Sequence, residues 1–380
     1  MKGQRIIFVL GNLELGGAER QALMLARHLS RQAEVEVWGF NKSGPVADIC
    51  EQHGIRWRVE PLNAGRLESI RRFAWLLRAA SPDMLLPYTW LPNVVCGFVW
   101  KSTGARVCVW NQRDEGLFLP KKTWERWAVE RTPRFISNSH AGARFLIERL
   151  KVDAARVQVV HNGVEPSAPQ MDRAAWRKRL EIDDASFVAC MVGNLHTNKD
   201  HETLLRAWRI VIRTLERKAV LVLAGRHDGA YIPLVALTRE LEIEDGVRFA
   251  GYVNDVAGLL SAVDIGVFSS RSEGCPNGVL ECMAAGLAVA GSDIEGVREV
   301  LGSSEFLTPV GDAAALSNTI LKLASDPGLC STLGAHNRNR IIEHFDARRM
   351  CEQFVESIAR AATEGRPYSC GSSGASNERA

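Results

Sequence analysis

Several common signatures are absent from this 380-residue sequence, and each absence excludes a class of protein. None of the nine cysteines forms a Cys-x-x-Cys pair, so neither a structural zinc site nor a disulfide framework is predicted. The amino-terminal segment MKGQRIIFVLGNLELGG contains only a short apolar run, IIFVLG, too short for a signal-peptide core or a membrane span. We therefore expect a protein of a reducing compartment, the cytoplasm.

Signatures of the best-known nucleotide and nucleic-acid sites are also absent. The first strand-to-helix turn, VLGNLELGGAER, has neither G-x-G-x-x-G spacing nor a G-K-[ST] motif, so neither NAD nor a P-loop nucleotide is predicted. Basic residues are interleaved with acidic ones, and no known nucleic-acid-binding module is present. We expect no cofactor and no nucleic-acid partner.

The composition is that of a globular protein with more than one core. Apolar residues make up 46% and charged residues 24% of the chain. Because single hydrophobic cores stop growing at about 250–300 residues, a chain of this length is expected to form two domains.

The order of apolar segments predicts an α/β fold. Short β-rich runs such as RIIFVLG and VEVWGF alternate with amphipathic segments such as GAERQALMLARHLSR, and a second series starts at FVACMVGN and continues through AVLVLAG and DIGVFSS. In the first helix, Ala22, Leu23, Leu25, Ala26 and Leu29 recur at helical spacing, so that one face can cover a sheet. Two doubly wound parallel sheets are predicted.

A segment rich in proline and charge, residues 163–184, separates the two series. We expect a first Rossmann-like domain over residues 1–165 and a second over 166–345. The closing helix, 346–364, has no strand after it and is expected to pack back on the first domain. Residues 366–380 are rich in Gly and Ser and are predicted to be disordered.

Ligands of open α/β sheets bind where strands lead into helix N-termini, so these turns are the places to search. Gly16 and Gly17 directly precede the first helix, where glycine lets backbone amides approach a phosphate. Lys199 precedes a helix in VGNLHTNKDHETLLRAW, where it could neutralise a phosphate. A simple turn and a solvated lysine explain these two features about equally well.

The segment SRSEGCPNGVLECMAAGLAV carries more information, because it places two glutamates around a turn suited to an anion. Glu273 falls in the loop and Glu281 in the first turns of the helix, which we expect to start at Gly278, Val279 and Leu280. The free N–H groups of these three residues could donate hydrogen bonds to a diphosphate. Carboxylates beside a phosphate are repulsive unless they accept hydroxyl hydrogen bonds, which a sugar and a ribose supply. A helix-dipole role for Glu281 and a solvated Glu273 are the simpler alternative.

Taken in order, four segments give the chain a clear resemblance to a known family. It resembles the retaining, GT-B-fold glycosyltransferases called family 4 or group 1 over about residues 5–360. The segments are GGAER, ISNSHAGARFLIERLKVDAARVQVVHNGVE, VGNLHTNKDHETLLRAW and VRFAGYVNDVAGLLSAVDIGVFSSRSEGCPNGVLECMAAGLAVAGSDIEGVREVL. The last contains the family's pair of glutamates with seven residues between them, as Glu273 and Glu281.

The resemblance implies a role for each candidate residue. Glu273 would contact the donor sugar, Glu281 the ribose of a nucleoside diphosphate, and Lys199 the departing diphosphate. Catalytic roles are expected for Glu273, Lys199, Asn111 and Arg113, and substrate-binding roles for Gly16, Gly17, Asn194, Cys275, Pro276, Asn277, Gly278, Val279, Glu281 and Tyr252. The absence of any Asp-x-Asp pair, the metal signature of the other main transferase fold, leads us to expect a metal-independent reaction.

Two positions depart from the family pattern. Asn194 follows Gly193 where the family usually has an arginine, and Arg271 or Arg113 would have to replace that cation. Asn111 stands where many members have a histidine, which leaves Asn111, Arg113 or Asp114 to serve. The family is thought to retain configuration by front-face attack, with the acceptor proton passing to the donor phosphate, so loss of the histidine does not exclude activity.

The sequence therefore predicts an enzyme that transfers sugar from a UDP- or GDP-sugar to a glycan or lipid-linked acceptor, in bacterial-type cell-surface polysaccharide or glycolipid synthesis. A nucleotide-sugar epimerase and a non-catalytic sugar-nucleotide-binding protein are the alternatives. Residues 1–165 carry 24 Lys and Arg against 16 Asp and Glu, and the helices SIRRFAWLLRAAS and KKTWERWAVERTPR suggest peripheral binding to an anionic membrane. Trp75, Trp124 and Trp127 in these helices are nevertheless expected to be core residues.

Overall fold

A computed structural model describes residues 3–364, with side chains placed up to residue 359. The predicted disordered segment, 366–380, lies outside the described residues. No helix within 3–364 combines the length and the apolar character needed to span a membrane.

The N-terminal domain is built on a seven-stranded parallel sheet. Its elements are β1 (Arg5–Leu10), α1 (Gly17–Leu29), β2 (Glu34–Phe40), α2 (Pro45–Gln52), β3 (Arg56–Glu60), α3 (Leu67–Ala80), β4 (Met84–Pro87), α4 (Trp90–Thr103), β5 (Val107–Gln112), α5 (Thr123–Arg131), β6 (Arg134–Ser137), α6 (His140–Arg144) with a π turn (Phe145–Arg149), a 3-10 turn (Ala154–Arg156) and β7 (Val157–Val159).

The C-terminal domain is built on a six-stranded parallel sheet. Its elements are α7 (Arg173–Arg179), β8 (Phe187–Val192), α8 (His201–Thr214), β9 (Ala219–Ala224), α9 (Tyr231–Glu240), a 3-10 turn (Glu244–Gly246), β10 (Val247–Gly251), α10 (Val256–Ser261), β11 (Ile265–Phe268), α11 (Asn277–Ala284), β12 (Ala288–Ser292), α12 (Glu295–Leu301), β13 (Leu307–Thr308), α13 (Ala313–Ser325) and α14 (Pro327–His344). Helix α15 (Ala347–Glu364) follows it.

The strand order fixes where a ligand can bind. The first sheet runs β3-β2-β1-β4-β5-β6-β7 and the second β10-β9-β8-β11-β12-β13, so the winding direction reverses beside β1 and beside β8. The loops that follow the carboxyl ends of strands diverge at such a reversal and leave a crevice. The loops after β1, β8 and β11 contain the glycine pair, Lys199 and Glu273. The two doubly wound sheets predicted from the sequence are confirmed.

Helix packing follows the predicted periodicity at both ends of the chain. The predicted stripe of α1 is buried, from Ala22 at 2% exposure to Leu29 at 0%. Helix α15 leaves the C-terminal domain and buries Met350, Cys351, Phe354 and Ile358 in the same core as the strands of the N-terminal sheet. The expected return of the closing helix to the first domain is therefore confirmed.

The prediction that three tryptophans are core residues is wrong for two of them. Trp75 on α3 is 65% exposed and Trp127 on α5 is 47% exposed, whereas Trp124 packs edge-on against Phe98 with ring centroids 5.7 Å apart. Trp75 and Trp127 lie on the polar faces of their amphipathic helices, where the helical period points a side chain to solvent even when the residue is aromatic.

Candidate functional site

A cavity of about 540 Å³ lies between the two domains at the predicted crevice. One wall is formed by residues 15–20 at the start of α1, and the other by the loop after β8 and the segment 273–281. Most predicted site residues line it: Gly16, Gly17, Arg113, Asn194, Lys199, Tyr252, Glu273, Cys275, Pro276, Asn277, Gly278 and Glu281. Asn111 and Val279 do not.

Helix α11 begins one residue earlier than the sequence suggested. Pro276 precedes the helix, and its carbonyl accepts the N–H groups of Val279 (3.1 Å) and Leu280 (3.2 Å). The prediction that these two amides are free was wrong, and the Val279 side chain is buried in the core. Within the described residues, the N–H groups of Asn277 and Gly278 have no such partner, so they are the ones open to an anion.

Gly278 allows this helix start to lie directly on the sheet. A Cβ at this position would be 2.0 Å from the carbonyl oxygen of Val192, the last residue of β8. Only glycine lets the first turn of α11 approach the strand so closely. The close approach brings the amides of α11 to the end of β8, beside the loop that carries Lys199.

The N-termini of two helices meet across the cleft. The Asn277 Nδ2 donates to the carbonyl of Gly17, the first residue of α1, at 3.0 Å. The Asn277 Oδ1 accepts from Gln21 Nε2 (3.3 Å) and Asn162 Nδ2 (2.8 Å). Because each N-terminus carries a partial positive charge, this arrangement concentrates positive potential between them and favours a bound anion.

Lys199 and Glu273 form an ion pair on the C-terminal wall. Both side chains are largely buried, at 18% and 13% exposure, and the Lys199 Nζ lies 4.8 Å above the ring of Phe268. Ser270 Oγ also donates to Glu273 Oε1, at 2.9 Å. A cation held by one carboxylate at the cleft wall can turn to an incoming phosphate and free that carboxylate for hydroxyl groups.

Glu281 pairs with a cation from the opposite domain. Arg20 on α1 places its Nη1 2.6 Å from Glu281 Oε1. Burial raises the pKa of the Glu281 carboxyl, and the Arg20 guanidinium opposes that shift. Arg20 therefore helps to keep the carboxylate charged in a site with little water.

Arg113 is the cleft cation that has no acidic partner among the side chains of residues 3–359. Its guanidinium lies 4.6 Å above the Tyr88 ring, and Nη1 donates to Asn162 Oδ1 at 3.2 Å. Within the same residues its Nε is buried and has no hydrogen-bond partner. Such a cation is well placed to bind an anion.

Asn111 supports Arg113 and does not reach the cleft. It is fully buried on β5, where its Nδ2 donates to the carbonyls of Pro87 (2.9 Å) and Val109 (3.1 Å). Its Oδ1 accepts weakly from Arg113 Nη2 at 3.4 Å. The expectation that Asn111 acts on a ligand is corrected, since its side chain is fully buried and its amide group is held by these neighbouring carbonyls.

The position of the missing family arginine is occupied by Asn194, and a different arginine lies beside it. The Asn194 Oδ1 accepts the N–H of Arg226 at 3.1 Å, and Arg226 lines the cleft between Glu14 (3.4 Å) and Asp228 (3.7 Å). Arg271, proposed as a replacement, is instead 63% exposed in its side chain and pairs with Asp200 outside the cavity.

A second cavity of about 620 Å³ adjoins the first. The second extends to the connecting segment 163–169, and the two share Leu15, Arg20, Tyr252, Val256, Asn277 and Glu281. Tyr252, 41% exposed, therefore stands at the junction of both spaces. Cys275 contributes its backbone, because its carbonyl accepts from Asn162 Nδ2 (2.8 Å) while burial raises the pKa of its thiol to about 12.

The side chains of the cleft are balanced in charge. Four cations line it, Arg20, Arg113, Lys199 and Arg226, and so do four acids, Glu19, Asp228, Glu273 and Glu281. A ligand that is only an anion would gain little binding energy from such a balanced set of charges. A ligand with both phosphates and hydroxyls can bind the cations through its phosphates and the acids through its hydroxyls. In residues 3–359, the group with metal-ligand geometry, His140, His161 and Glu299, is not part of this lining.

Sequence reasoning missed Arg20, Arg226 and Asn162 as cleft residues. Arg20 lies one turn after the glycine pair, and Arg226 follows Gly225 at the carboxyl end of β9, so the search of strand ends could have found both. Asn162 has no local signal, because its side-chain partners are far away in the sequence: Arg113 is 49 positions away, and Cys275 and Asn277 are more than 110.

Comparisons with known proteins match both halves of the chain to one family. The model of Glycosyltransferase Family 4 matches residues 15–168, and the model of Glycosyl transferases group 1 matches residues 186–326. The first covers the glycine pair and Arg113, and the second covers Lys199, Glu273 and Glu281.

Curated relatives and solved structures agree with that assignment. The Escherichia coli UDP-Gal:alpha-D-GlcNAc-diphosphoundecaprenol alpha-1,3-galactosyltransferase is 27% identical over 70% of this chain and 67% of its own length. The Bacillus anthracis N-acetyl-alpha-D-glucosaminyl L-malate synthase is 24% identical over 60% of each chain, so the match spans less than two thirds of that relative. These names are those of a transferase and a synthase, and they do not favour the epimerase or non-catalytic alternatives.

The fold has a close counterpart in Anabaena HepE, solved with UDP and glucose. That structure superposes with a TM-score of 0.82 at 20% identity and covers 94% of this chain and 100% of its own. The match confirms the GT-B arrangement of two Rossmann-like domains. With both halves of the chain matched, the protein belongs to the group 1 glycosyltransferases.

Proposed function

We propose that this protein transfers a sugar from a nucleoside-diphosphate sugar to a glycan or lipid-linked acceptor, in bacterial-type cell-surface polysaccharide or glycolipid synthesis. The donor binds to residues 166–345, and the acceptor to residues 1–165 with the closing helix 346–364. The observation that carries the proposal is the contact of Asn277 with Gly17, which brings two helix N-termini together between Lys199 and Arg113.

The diphosphate of the donor lies between the two helix N-termini. The N–H groups of Asn277 and Gly278 bind it from one side, and the glycine pair Gly16–Gly17 approaches it from the other. Lys199 exchanges Glu273 for a phosphate oxygen, and Arg113 supplies a cation that no acid in the described residues neutralises. Arg226, beside Asn194, supplies the charge of the missing family arginine.

The two glutamates bind the hydroxyl groups on either side of the diphosphate. Glu273, released from Lys199, accepts from hydroxyls of the sugar, and Glu281 accepts from the ribose. A ribose at Glu281 directs the base toward Tyr252, where the two cavities join. The Escherichia coli relative is named for a UDP-Gal donor, and HepE was solved with UDP, which favours a UDP-sugar here.

Transfer proceeds with retention of configuration and without a metal ion. As the bond from the sugar to the diphosphate breaks, negative charge develops on the phosphate oxygens, and fixed amides and cations stabilise it. The acceptor hydroxyl attacks from the same face and passes its proton to the leaving phosphate. No side chain of the cleft is then required as a general base, which fits the burial of Asn111.

Exposed apolar residues of the N-terminal domain support a membrane-bound acceptor. Besides Trp75 and Trp127, the same domain exposes Leu117 and Phe118, 53% and 52% exposed, just before Lys121 and Lys122 in the sequence. Apolar side chains beside lysines are the pattern of a surface that lies on anionic lipid. The protein acts at the cytoplasmic face of a membrane by peripheral contact.

The test is transfer of labelled sugar from UDP-glucose, UDP-galactose and UDP-N-acetylglucosamine to a panel of lipid-linked and free glycans. Movement of label to one acceptor class, lost in Lys199→Ala and kept in the exposed-residue control Lys218→Ala, supports the proposal. Isomerisation of the donor without transfer would instead identify an epimerase, and nucleotide binding without any turnover a binding protein.

A further inference from the structure

Three side chains with metal-ligand chemistry meet at the contact between the domains, outside the cleft lining. His140 is the first residue of α6 and His161 follows β7, so both belong to the N-terminal domain. Glu299 lies on α12 of the C-terminal domain. The cluster therefore spans the contact between the two domains.

The ligand atoms of this cluster are close together. The His161 Nε2 lies 2.5 Å from Glu299 Oε1, and the His140 Nε2 lies 3.9 Å from the same oxygen. Each of the three residues offers one ligand atom within 4.8 Å of those of the other two. In a tetrahedral zinc site with bonds of about 2.0–2.1 Å, neighbouring ligand atoms are about 3.3 Å apart. Adjustments of about 1 Å would bring these atoms to that spacing, and the His140 side chain is 66% exposed and has room to turn.

Other contacts hold the ligands in place. The backbone N–H of His140 donates to both oxygens of Glu299, at 3.1 and 3.0 Å. Arg340 donates to the carbonyls of Glu299 (2.9 Å) and Val300 (2.7 Å), which fixes the end of α12. The ring of Phe345 packs edge-on against His161 with centroids 5.4 Å apart. Ligands supported in this way lose less conformational freedom when a metal binds.

From these distances we propose that His140, His161 and Glu299 bind a divalent transition-metal ion such as Zn²⁺. Two imidazoles and one carboxylate suit zinc, cobalt and nickel better than calcium or magnesium, which prefer oxygen ligands. The exposure of His140 leaves a coordination position for water. Because its ligands come from both domains, the ion stabilises the arrangement in which the domains are in contact.

Titration of Zn²⁺ and Co²⁺ into the full chain by calorimetry tests the site without any nucleotide. We expect one ion per chain, at least about tenfold weaker binding in His140→Gln and Glu299→Gln, and a rise in Tm with Zn²⁺ that these variants lose. His53→Gln, an exposed histidine elsewhere, is the matched control. The Tm of each variant without metal shows whether it folds. His140→Gln is the variant less prone to misfold, because the His140 side chain is exposed.

A second control separates metal binding from domain contact. Glu295→Gln, on the same helix, removes the ion pair with Arg144 across the same contact without removing a ligand, so it should bind Zn²⁺ as the wild type does. The proposal would be overturned if Zn²⁺ did not bind with one ion per chain. It would also be overturned if the wild type and the His140 and Glu299 variants bound Zn²⁺ with equal affinity, as expected if cysteines hold the ion. Either result leaves the nucleotide site of the cleft untouched.

Discussion

At the scale of single residues, the two glutamates of the cleft differ in the cation that each holds. Glu273 pairs with Lys199 of its own domain, whereas Glu281 pairs with Arg20 of the other. A ligand that binds Glu281 therefore meets a carboxylate already oriented by the opposite wall. A ligand at Glu273 must first displace a lysine from its own wall. Substitutions of the two glutamates are therefore expected to affect different steps, nucleotide binding for Glu281 and turnover for Glu273.

Glu281→Gln should weaken binding of the nucleoside diphosphate about 10- to 100-fold, because a charged acceptor contributes about 1.5–3 kcal/mol to a hydrogen bond. Calorimetric titration of UDP measures the effect. Glu202→Gln, an exposed change on α8 that removes a surface ion pair with Arg206, serves as control. A Kd unchanged by Glu281→Gln would contradict the ribose assignment.

Glu273→Gln should lower turnover with the sugar donor by at least about tenfold while leaving UDP binding nearly intact, because the hydroxyls that donate to Glu273 belong to the sugar and not to the nucleotide. Initial rates of donor consumption, compared with the Kd of UDP, separate the two effects. An equal loss of UDP binding would place Glu273 at the diphosphate instead.

Sequence alone located Glu273, Glu281 and Lys199 at strand ends because turn residues and apolar runs mark those places locally. It could not pair Glu281 with Arg20, 261 positions away, since that contact depends on how two domains meet. The prediction for Asn111 was wrong because every residue of β5 is buried. A strand buried on both faces shows no alternation of polar and apolar residues, so its sequence does not indicate which way a side chain points.

At the scale of elements, α11 brings its first amides to the cleft only because Gly278 carries no side chain. The strand before α11 and the loop that leads into it were predicted from the sequence, but the first residue of the helix was not. Pro276 is the residue that precedes the helix, so the first turn begins at Asn277. The predicted start at Gly278 was one residue late.

Gly278→Ala should destabilise the protein by about 1–3 kcal/mol, as overpacking does, because its Cβ would meet the Val192 oxygen at 2.0 Å. The control is Gly229→Ala, where a Cβ would meet nothing within 4 Å. Thermal unfolding of both variants is the measurement. Similar Tm values for the two would show that α11 does not lie against β8 as described.

At the scale of the whole molecule, Glu115 joins the domains beside the cleft. Its carboxylate accepts from the N–H groups of Glu273 and Gly296, both at 3.4 Å, and burial raises its pKa. The folded protein therefore holds this proton more tightly than the unfolded chain does. The resulting stability is complete below the ordinary pKa of 4.5 and is lost as pH rises through the raised value.

Glu115→Gln, which is neutral at every pH, should accordingly gain Tm relative to the wild type as pH rises above 4.5. Thermal unfolding across pH 4–8 measures the difference, with the exposed change Glu216→Gln as the matched control. If the Tm of Glu115→Gln relative to that of the wild type fell as pH rises, the folded protein would favour the charged form of Glu115, and the account would be contradicted.

The proposed peripheral membrane contact would also involve the whole N-terminal surface. Trp75→Ser with Trp127→Ser should reduce recovery with floated anionic liposomes, whereas Ile232→Ser, 79% exposed on the C-terminal domain, should not. Equal recovery of wild type on neutral and anionic vesicles would contradict an electrostatic contribution from this surface.

We propose that the cleft between the domains binds a nucleoside diphosphate between two helix N-termini. Calorimetric titration of UDP, GDP and ADP into the wild type and Glu281→Gln tests it most directly. We predict that one nucleotide, UDP, binds once per chain and that the variant loses most of this affinity. Absence of binding by all three, or binding that the variant leaves unchanged, would contradict the claim.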